Sequence, residues 1–186
     1  MISELLSPSV ILYHVEPNIF PVYPDRETIH HYDQNVAFYN RLMWGYSISE
    51  FSNFILTALE SKPSGWILDA RCGSLAFTAR TYTRYSKRPV VMLDQSIQTL
   101  RIAKSRLLKL CKEVPSNVTF LQGDILQLPF RPLSFSTVIS LSVLHVIEDA
   151  KAMISELWKV RTGDGELSLK FSKGPINRRC VSTILT

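Results

Sequence analysis

The sequence predicts an α/β fold built on a doubly wound, mainly parallel sheet, and three observations lead there. After Lys62-Pro63-Ser64-Gly65, short apolar runs alternate with stretches of helical periodicity. The runs are apolar at nearly every position, as strands covered on both faces are. Three of them are followed at once or within three residues by an aspartate, Asp69, Asp94 or Asp124, and in such sheets ligands sit beyond the carboxyl ends of the strands.

Taken in order, the chain opens on an arm reaching to about Asp33. It carries Pro8, Pro17, Pro21 and Pro24 among apolar and aromatic residues. Prolines at that density oppose regular helix, so the arm is read as irregular and packed on the rest. Val36, Phe38, Tyr39, Leu42 and Met43 give helical spacing over Gln34–Trp44, and Phe51, Phe54, Ile55 and Leu59 give it over Ile48–Leu59. Residues 1–62 are thus an arm with cap helices, and residues 63–186 a core domain.

The core begins with a strand, Trp66-Ile67-Leu68, ending in Asp69 and the loop Ala70-Arg71-Cys72-Gly73-Ser74, and a helix to about Tyr85. A second strand, Pro89 to Leu93, ends in Asp94. The next helix runs from Ser96, a good cap, to about Glu113, with Ile97, Leu100, Ala103, Leu107, Leu108 and Cys111 mainly on one face. Strand three is Val118–Leu121, followed by Gly123-Asp124. Strand four, Ser136–Leu141, is rich in β-branched residues. A helix over Asp149–Val160 and a Gly163-Asp164-Gly165 turn lead to strand five, Glu166–Phe171.

Composition narrows the class. Of 186 residues, 46% are hydrophobic and 20% charged, the balance of one soluble globular domain rather than a disordered or fibrous chain. No apolar run approaches the ~18 residues a membrane helix needs, and Met1-Ile2-Ser3-Glu4 does not open a secretory signal. Cys72, Cys111 and Cys180 are isolated, which favours a reducing cytoplasm. The net charge of +5 gathers in Arg84, Lys87, Arg88, Arg101, Lys104, Arg106, Lys109 and Lys112. These read as solvated helix faces; no RNA-binding signature accompanies them, so nucleic acid is not the expected partner.

The residues at the strand ends carry a resemblance. Ile67-Leu68-Asp69-Ala70-Arg71-Cys72-Gly73-Ser74-Leu75 resembles the LDxGCGxG cofactor loop of class I methyltransferases, which bind S-adenosylmethionine (SAM) on a Rossmann-like fold. Gly123-Asp124-Ile125-Leu126-Gln127-Leu128-Pro129-Phe130 is similar to their GDxxxLPF loop, and Ser134-Phe135-Ser136-Thr137-Val138 to SFDxV. Val143-Leu144-His145-Val146-Ile147-Glu148-Asp149 resembles VLHHxxD. Four motifs in this order are specific, and the nearest subgroup is that of the ubiquinone and menaquinone enzymes.

The resemblance implies SAM-dependent methyl transfer to a small molecule. It assigns the methionine end of the cofactor to Asp69 and Gly73, the ribose to Asp94 with Gln95, and the adenine to Asp124 with Ile125 packed on the ring. Asp94 stands 25 positions after Asp69 (94 − 69), where an acidic residue accepts from both ribose hydroxyls in dinucleotide folds as well. The helix before the first strand closes over the cofactor in the family, which brings Tyr39 or Tyr46 to the site. His145 is the candidate base or acceptor-orienting group, or a histidine bonded within its loop.

Two departures stand out. Arg71 and Leu75 replace loop glycines, a change of about 1–3 kcal/mol each through strain or lost contact. Only 15 residues, Ser172–Thr186, follow strand five, too few for the helix and two strands that end the family's sheet. Strand five is therefore expected to be an exposed edge, covered by a homodimer or by a tail strand over Val181–Leu185 donated between chains. These departures also keep open a non-catalytic or repurposed relative that binds a nucleoside ligand or a partner. His30-His31 with His14 and Asp33 matches no ligand spacing, so no metal is expected. Ser140-Leu141-Ser142 lacks the GxSxG elbow of a serine hydrolase.

Overall fold

The computed structural model describes residues 2–23, 48–144, 146–172 and 180–185. The helix expected over Gln34–Trp44, with Tyr39, Tyr46, His30, His31 and His145, lies outside the described residues. The strands are β1 (Ile19–Pro21), β2 (Ile67–Ala70), β3 (Val90–Asp94), β4 (Val118–Gln122), β5 (Phe135–Leu141), β6 (Arg161–Ser172) and β7 (Cys180–Leu185). They form one sheet in the order β1-β4-β3-β2-β5-β6-β7. All neighbours are parallel except β6 and β7, which are antiparallel.

Four helices, α1 (Ile48–Glu60), α2 (Ala79–Tyr85), α3 (Ile97–Cys111) and α4 (Ala150–Val160), flank the sheet among the described residues. On α1, Phe51, Phe54, Ile55, Ala58 and Leu59 make the buried stripe that the periodicity implies. Ser96 caps α3 by accepting from the Thr99 amide at 3.2 Å, and Asp149 caps α4 by accepting from Ala152 at 2.9 Å.

Alternate strand residues enter two separate cores, as a period of two requires. Ile67, Val90, Met92, Phe120 and Ile139 pack under α1, α2 and α3. Leu68, Val91, Leu93, Leu121, Val138 and Leu167 pack on the other face, where α4 supplies Met153 and Leu157. That second face carries one described helix, and the proline-rich arm completes it. Leu5, Leu6 and Val22 are buried there beside Phe130 and Phe135. The arm is thus more ordered than its prolines suggest. Its β1 pairs with β4, with Pro21 on an edge strand, where a missing N–H is tolerated. Through β1 the described part of the arm joins the sheet of the core.

The Gly163-Asp164-Gly165 turn is enclosed by β6 itself. The register passes from Phe135↔Arg161 to Thr137↔Glu166, so Thr162–Gly165 bulge out opposite Ser136 alone. Arg161 closes the bulge by donating to the carbonyls of Gly163 (3.1 Å) and Gly165 (2.7 Å), with its guanidinium 4.0 Å over the Trp158 ring.

The expectation of an open edge on strand five is corrected. β7 runs along β6 from Leu167↔Leu185 to Ser172↔Cys180, so the tail fills the ladder within one chain. The stated reason for a homodimer through that edge is thereby removed. A chain ending at Ser172 should self-associate more strongly than the full chain in light scattering, because removing β7 bares a row of backbone donors and acceptors. Equal behaviour of the two chains would contradict the pairing.

Of the basic residues, Arg84, Lys87, Arg101, Lys109 and Lys112 are exposed, as solvated faces are, while several also hold other parts of the chain. Arg101 and Lys104 hold Glu16 of the arm at 2.7 and 3.7 Å, and Arg106 donates to the carbonyl of Ser74 in the loop after β2. Arg88 is buried and precedes β3 rather than lying on a helix.

Candidate functional site

Strand order reverses around β2, whose neighbours are β3 on one side and β5 on the other. A crevice opens at such a point beyond the carboxyl ends of the strands. The loops that leave β2, β3 and β4 are tied to one another there. The Cys72 amide donates to the Leu93 carbonyl (2.9 Å), the Gly123 amide to the Asp94 carbonyl (3.0 Å), and the Gln122 side-chain amide to the Gln95 carbonyl (3.0 Å).

Asp94 is the knot of this arrangement. Its Oδ2 accepts from the Gly73 amide at 3.1 Å and its Oδ1 from the Ser96 amide at 3.0 Å. Asp94 thus fixes the glycine loop and the start of α3 at the end of β3. Gln95 is half-buried beside it.

Asp69 ends β2 and is 2% exposed. Its Oδ2 accepts a 2.6 Å hydrogen bond from the Tyr82 hydroxyl of α2. Its Oδ1 is buried without a hydrogen-bond partner. Burial pushes the pKa up to about 7; the Tyr82 hydrogen bond opposes this and Asp94 adds to it. Tyr82 is itself raised by burial and by Asp69, and stays protonated to donate. The role of Tyr82 was not legible in sequence, since a tyrosine on a helix face reads as core.

The loop keeps a glycine-like path despite its substitutions. Arg71, Gly73 and Leu75 all have left-handed φ values, 66°, 60° and 55°. An L-residue in that region carries about 1–2 kcal/mol of strain, so the cost expected from Arg71 is present as backbone strain. Leu75 departs from expectation. Its side chain is 2% exposed and joins Ala79, Tyr82 and Met92 in the core, while its carbonyl starts α2 by accepting from the Ala79 amide at 3.1 Å. Leu75→Gly should therefore destabilise the fold by about 2–4 kcal/mol, lost packing outweighing relieved strain. Arg71→Gly should leave stability within about 1 kcal/mol of the parent. Denaturant midpoints compare them, and equal values would contradict the assignment of Leu75 to the core.

Asp124 begins the next loop and is half-buried, its Oδ1 accepting from the Leu126 amide at 2.9 Å. Ile125 is 1% exposed and lies in the core with Val143 and Leu128. The structure thus gathers Asp69, Gly73, Asp94 and Gln95 at one crevice with Asp124 on the adjoining loop, and holds the Ile125 side chain in the core. Tyr39 and His145 lie outside the described residues. Ser136, in place of the usual aspartate, accepts from Arg88 at 2.7 Å near the amino ends of the strands. Among the described residues no cluster suits a metal ion and no helix is long and apolar enough to cross a membrane.

The pattern of the methyltransferase-domain family matches residues 67–165, 99 of the 186 positions (165 − 67 + 1). No curated protein matches the chain. Similar solved structures include a methyltransferase-like protein of Bacillus halodurans C-125 (24% identity, TM-score 0.58, 69% of this chain and 53% of that one). Phosphoethanolamine N-methyltransferase 2 of Haemonchus contortus, in complex with SAM, has 21% identity and a TM-score of 0.59, over 75% of this chain and 33% of that one. Geranyl diphosphate C-methyltransferase of Streptomyces coelicolor A3(2) gives 17% and 0.56, over 66% and 44%. At these identities the likeness is one of fold, and the chain spans about half or less of each neighbour's length. The family pattern covers more than half of the chain and coincides with the strands and loops that build the crevice: the chain belongs to the methyltransferase-domain family.

Proposed function

We propose that the chain transfers a methyl group from SAM to a small-molecule acceptor. The observation that carries this reading is the buried Asp69 with one oxygen bound to Tyr82 and the other without a partner. A lone buried acceptor is costly unless a ligand donor meets it, and the ammonium of the SAM methionine is such a donor. Asp94 and Gln95 would hold the ribose and Asp124 the adenine amino group. The Haemonchus and Streptomyces neighbours, solved in complex with SAM and S-adenosylhomocysteine respectively, support the same cofactor.

When bound, SAM supplies a sulfonium methyl group open to in-line attack. The chain's part is positioning, because effective concentration supplies most of the acceleration in such a transfer. His145, just beyond β5, is the residue we assign to take the proton of the acceptor atom or to orient it.

The test is the pH dependence of SAM affinity. Asp69 has a folded pKa of about 7 against an ordinary 3.8. Its burial thus favours the folded state most fully below the unfolded value, and this contribution is lost as pH rises through about 7. A cationic ligand group beside it reverses the preference, since binding favours the carboxylate. SAM should therefore bind about tenfold more tightly at pH 8 than at pH 6, with proton release on binding visible near pH 6 in buffers of different ionisation enthalpy. Asp69→Asn should flatten the profile. A flat profile in the parent chain would overturn the role of Asp69.

A further inference from the structure

Tyr82 lies on the buried side of α2 and is 2% exposed. Its ring packs with Leu75, Ala79 and Met92 between the helices and the sheet. That packing accounts for the ring and not for the hydroxyl, since phenylalanine would fill the same space with no polar group to bury. The hydroxyl donates to Asp69 Oδ2 at 2.6 Å, the length of a charge-assisted bond.

Asp69 is likewise more than Tyr82 requires. A hydroxyl needs one acceptor, which an asparagine carbonyl supplies without desolvating a carboxylate. The pair therefore holds one acceptor beyond its internal bond, Asp69 Oδ1, which is buried and meets no donor. Backbone bonds set both residues in one frame. The Cys72 amide donates to the Leu93 carbonyl (2.9 Å), the Ala79 amide to the Leu75 carbonyl (3.1 Å), and the Tyr82 amide to the Thr78 carbonyl (3.1 Å).

The titratable groups that bear on Asp69 come from three places: Tyr82 on α2, Cys72 in the loop after β2, and Asp94 at the end of β3. Arg106 of α3 reaches the same loop, where it is bonded to the Ser74 carbonyl. Burial pushes the Cys72 thiol up, so it stays protonated, and Asp94 opposes a second negative charge beside it. Of the three groups, Tyr82 favours the Asp69 carboxylate.

We infer that Tyr82 is a positioning residue for the cofactor: its hydroxyl fixes Asp69 by one oxygen and leaves the other for the ligand's ammonium. The inference rests on the methyl-transfer reading above and adds the residue that prepares its site. Loss of the hydroxyl removes a bond to the charged form of Asp69. The carboxyl then ionises at higher pH, and the pH at which the cofactor binds rises with it.

The test compares the full chain with Tyr82→Phe, each titrated with S-adenosylhomocysteine at pH 6 and at pH 8.5. The variant should bind about tenfold more weakly at pH 6 and no more than about threefold more weakly at pH 8.5, where Asp69 is ionised in both. Without ligand, carbon NMR should show the Asp69 carboxyl titrating about one pH unit higher in the variant. An equal loss at both pH values would reduce Tyr82 to packing, and parent-like binding at both would remove it from the site; either result overturns the inference. If Tyr82→Phe does not fold, the Tyr82 ring Cζ resonance of the parent decides. It should follow the Asp69 titration and move to its high-pH position when ligand saturates the chain at pH 6, and a resonance indifferent to ligand overturns the inference. Failure of the parent chain to bind S-adenosylhomocysteine at either pH would overturn the methyl-transfer reading and this inference together, whereas the other adverse results count against the role of Tyr82 alone.

Discussion

Arg88→Ala should destabilise the chain by about 3–5 kcal/mol, the range found when one partner of a buried charged network is removed. Arg88 is buried, and its guanidinium makes five hydrogen bonds. It donates to the carbonyls of Leu59 (3.3 Å) at the end of α1, and of Lys62 (2.9 Å) and Gly65 (3.1 Å) in the loop that follows. It also donates to the hydroxyls of Ser136 (2.7 Å) and Thr137 (3.0 Å) on β5. One side chain thus closes the amino-terminal side of the sheet and fixes α1 to it. Removing it orphans several acceptors at once, and each buried orphan costs about 1–3 kcal/mol. Burial lowers the Arg88 pKa while Glu166 opposes the shift. Arg88→Lys should recover little, because a single ammonium cannot reproduce the fork. Denaturant unfolding measures this, and a loss below about 1 kcal/mol would contradict the structural role.

Asp94→Ala should weaken SAM binding by at least about tenfold, and by more if the loop moves. A carboxylate hydrogen bond to a ligand contributes about 1.5–3 kcal/mol, which corresponds to about ten- to a hundredfold in affinity. Asp94 also holds the Gly73 amide and the Ser96 amide, so its loss frees both the glycine loop and the start of α3. Asp94→Asn is the informative companion. It keeps the shape and one acceptor, and should retain more loop order than affinity. Hydrogen exchange at Gly73 reads the loop and calorimetry reads the ligand. Parent-like affinity in Asp94→Ala would remove Asp94 from the site.

How much of this was legible in sequence depends on the range of the interaction that fixes each feature. Asp69, Asp94 and Asp124 were found because strand periodicity placed them at strand ends, and the parallel sheet then gathers those ends. The cap Ser96 was legible through a local rule acting over three or four residues, and Asp149, read as the first residue of its helix, proves to be its cap. Tyr82 and Arg88 were not. Tyr82 meets Asp69 and Arg88 meets Ser136 only after helices dock, and a tyrosine on an apolar stripe or an arginine before a strand carries no mark of its partner. Arg88 was grouped with solvated charges on that account. Leu75 was read as a loss of backbone approach, since the loop pattern does not tell that its side chain turns into the core. The tail strand was expected over Val181–Leu185 as one donated between chains, and the structure instead pairs Cys180–Leu185 with β6 of the same chain.

Titration of the folded chain with S-adenosylhomocysteine by calorimetry tests the central claim most directly, because it needs no knowledge of the acceptor. The loop retains its left-handed path at Arg71, Gly73 and Leu75, and both strand-end aspartates stand in place. One site per chain is therefore expected, with a dissociation constant in the micromolar range, about 8 kcal/mol of binding free energy. A chain that melts cooperatively yet shows no saturable heat with the ligand at millimolar concentration would contradict it.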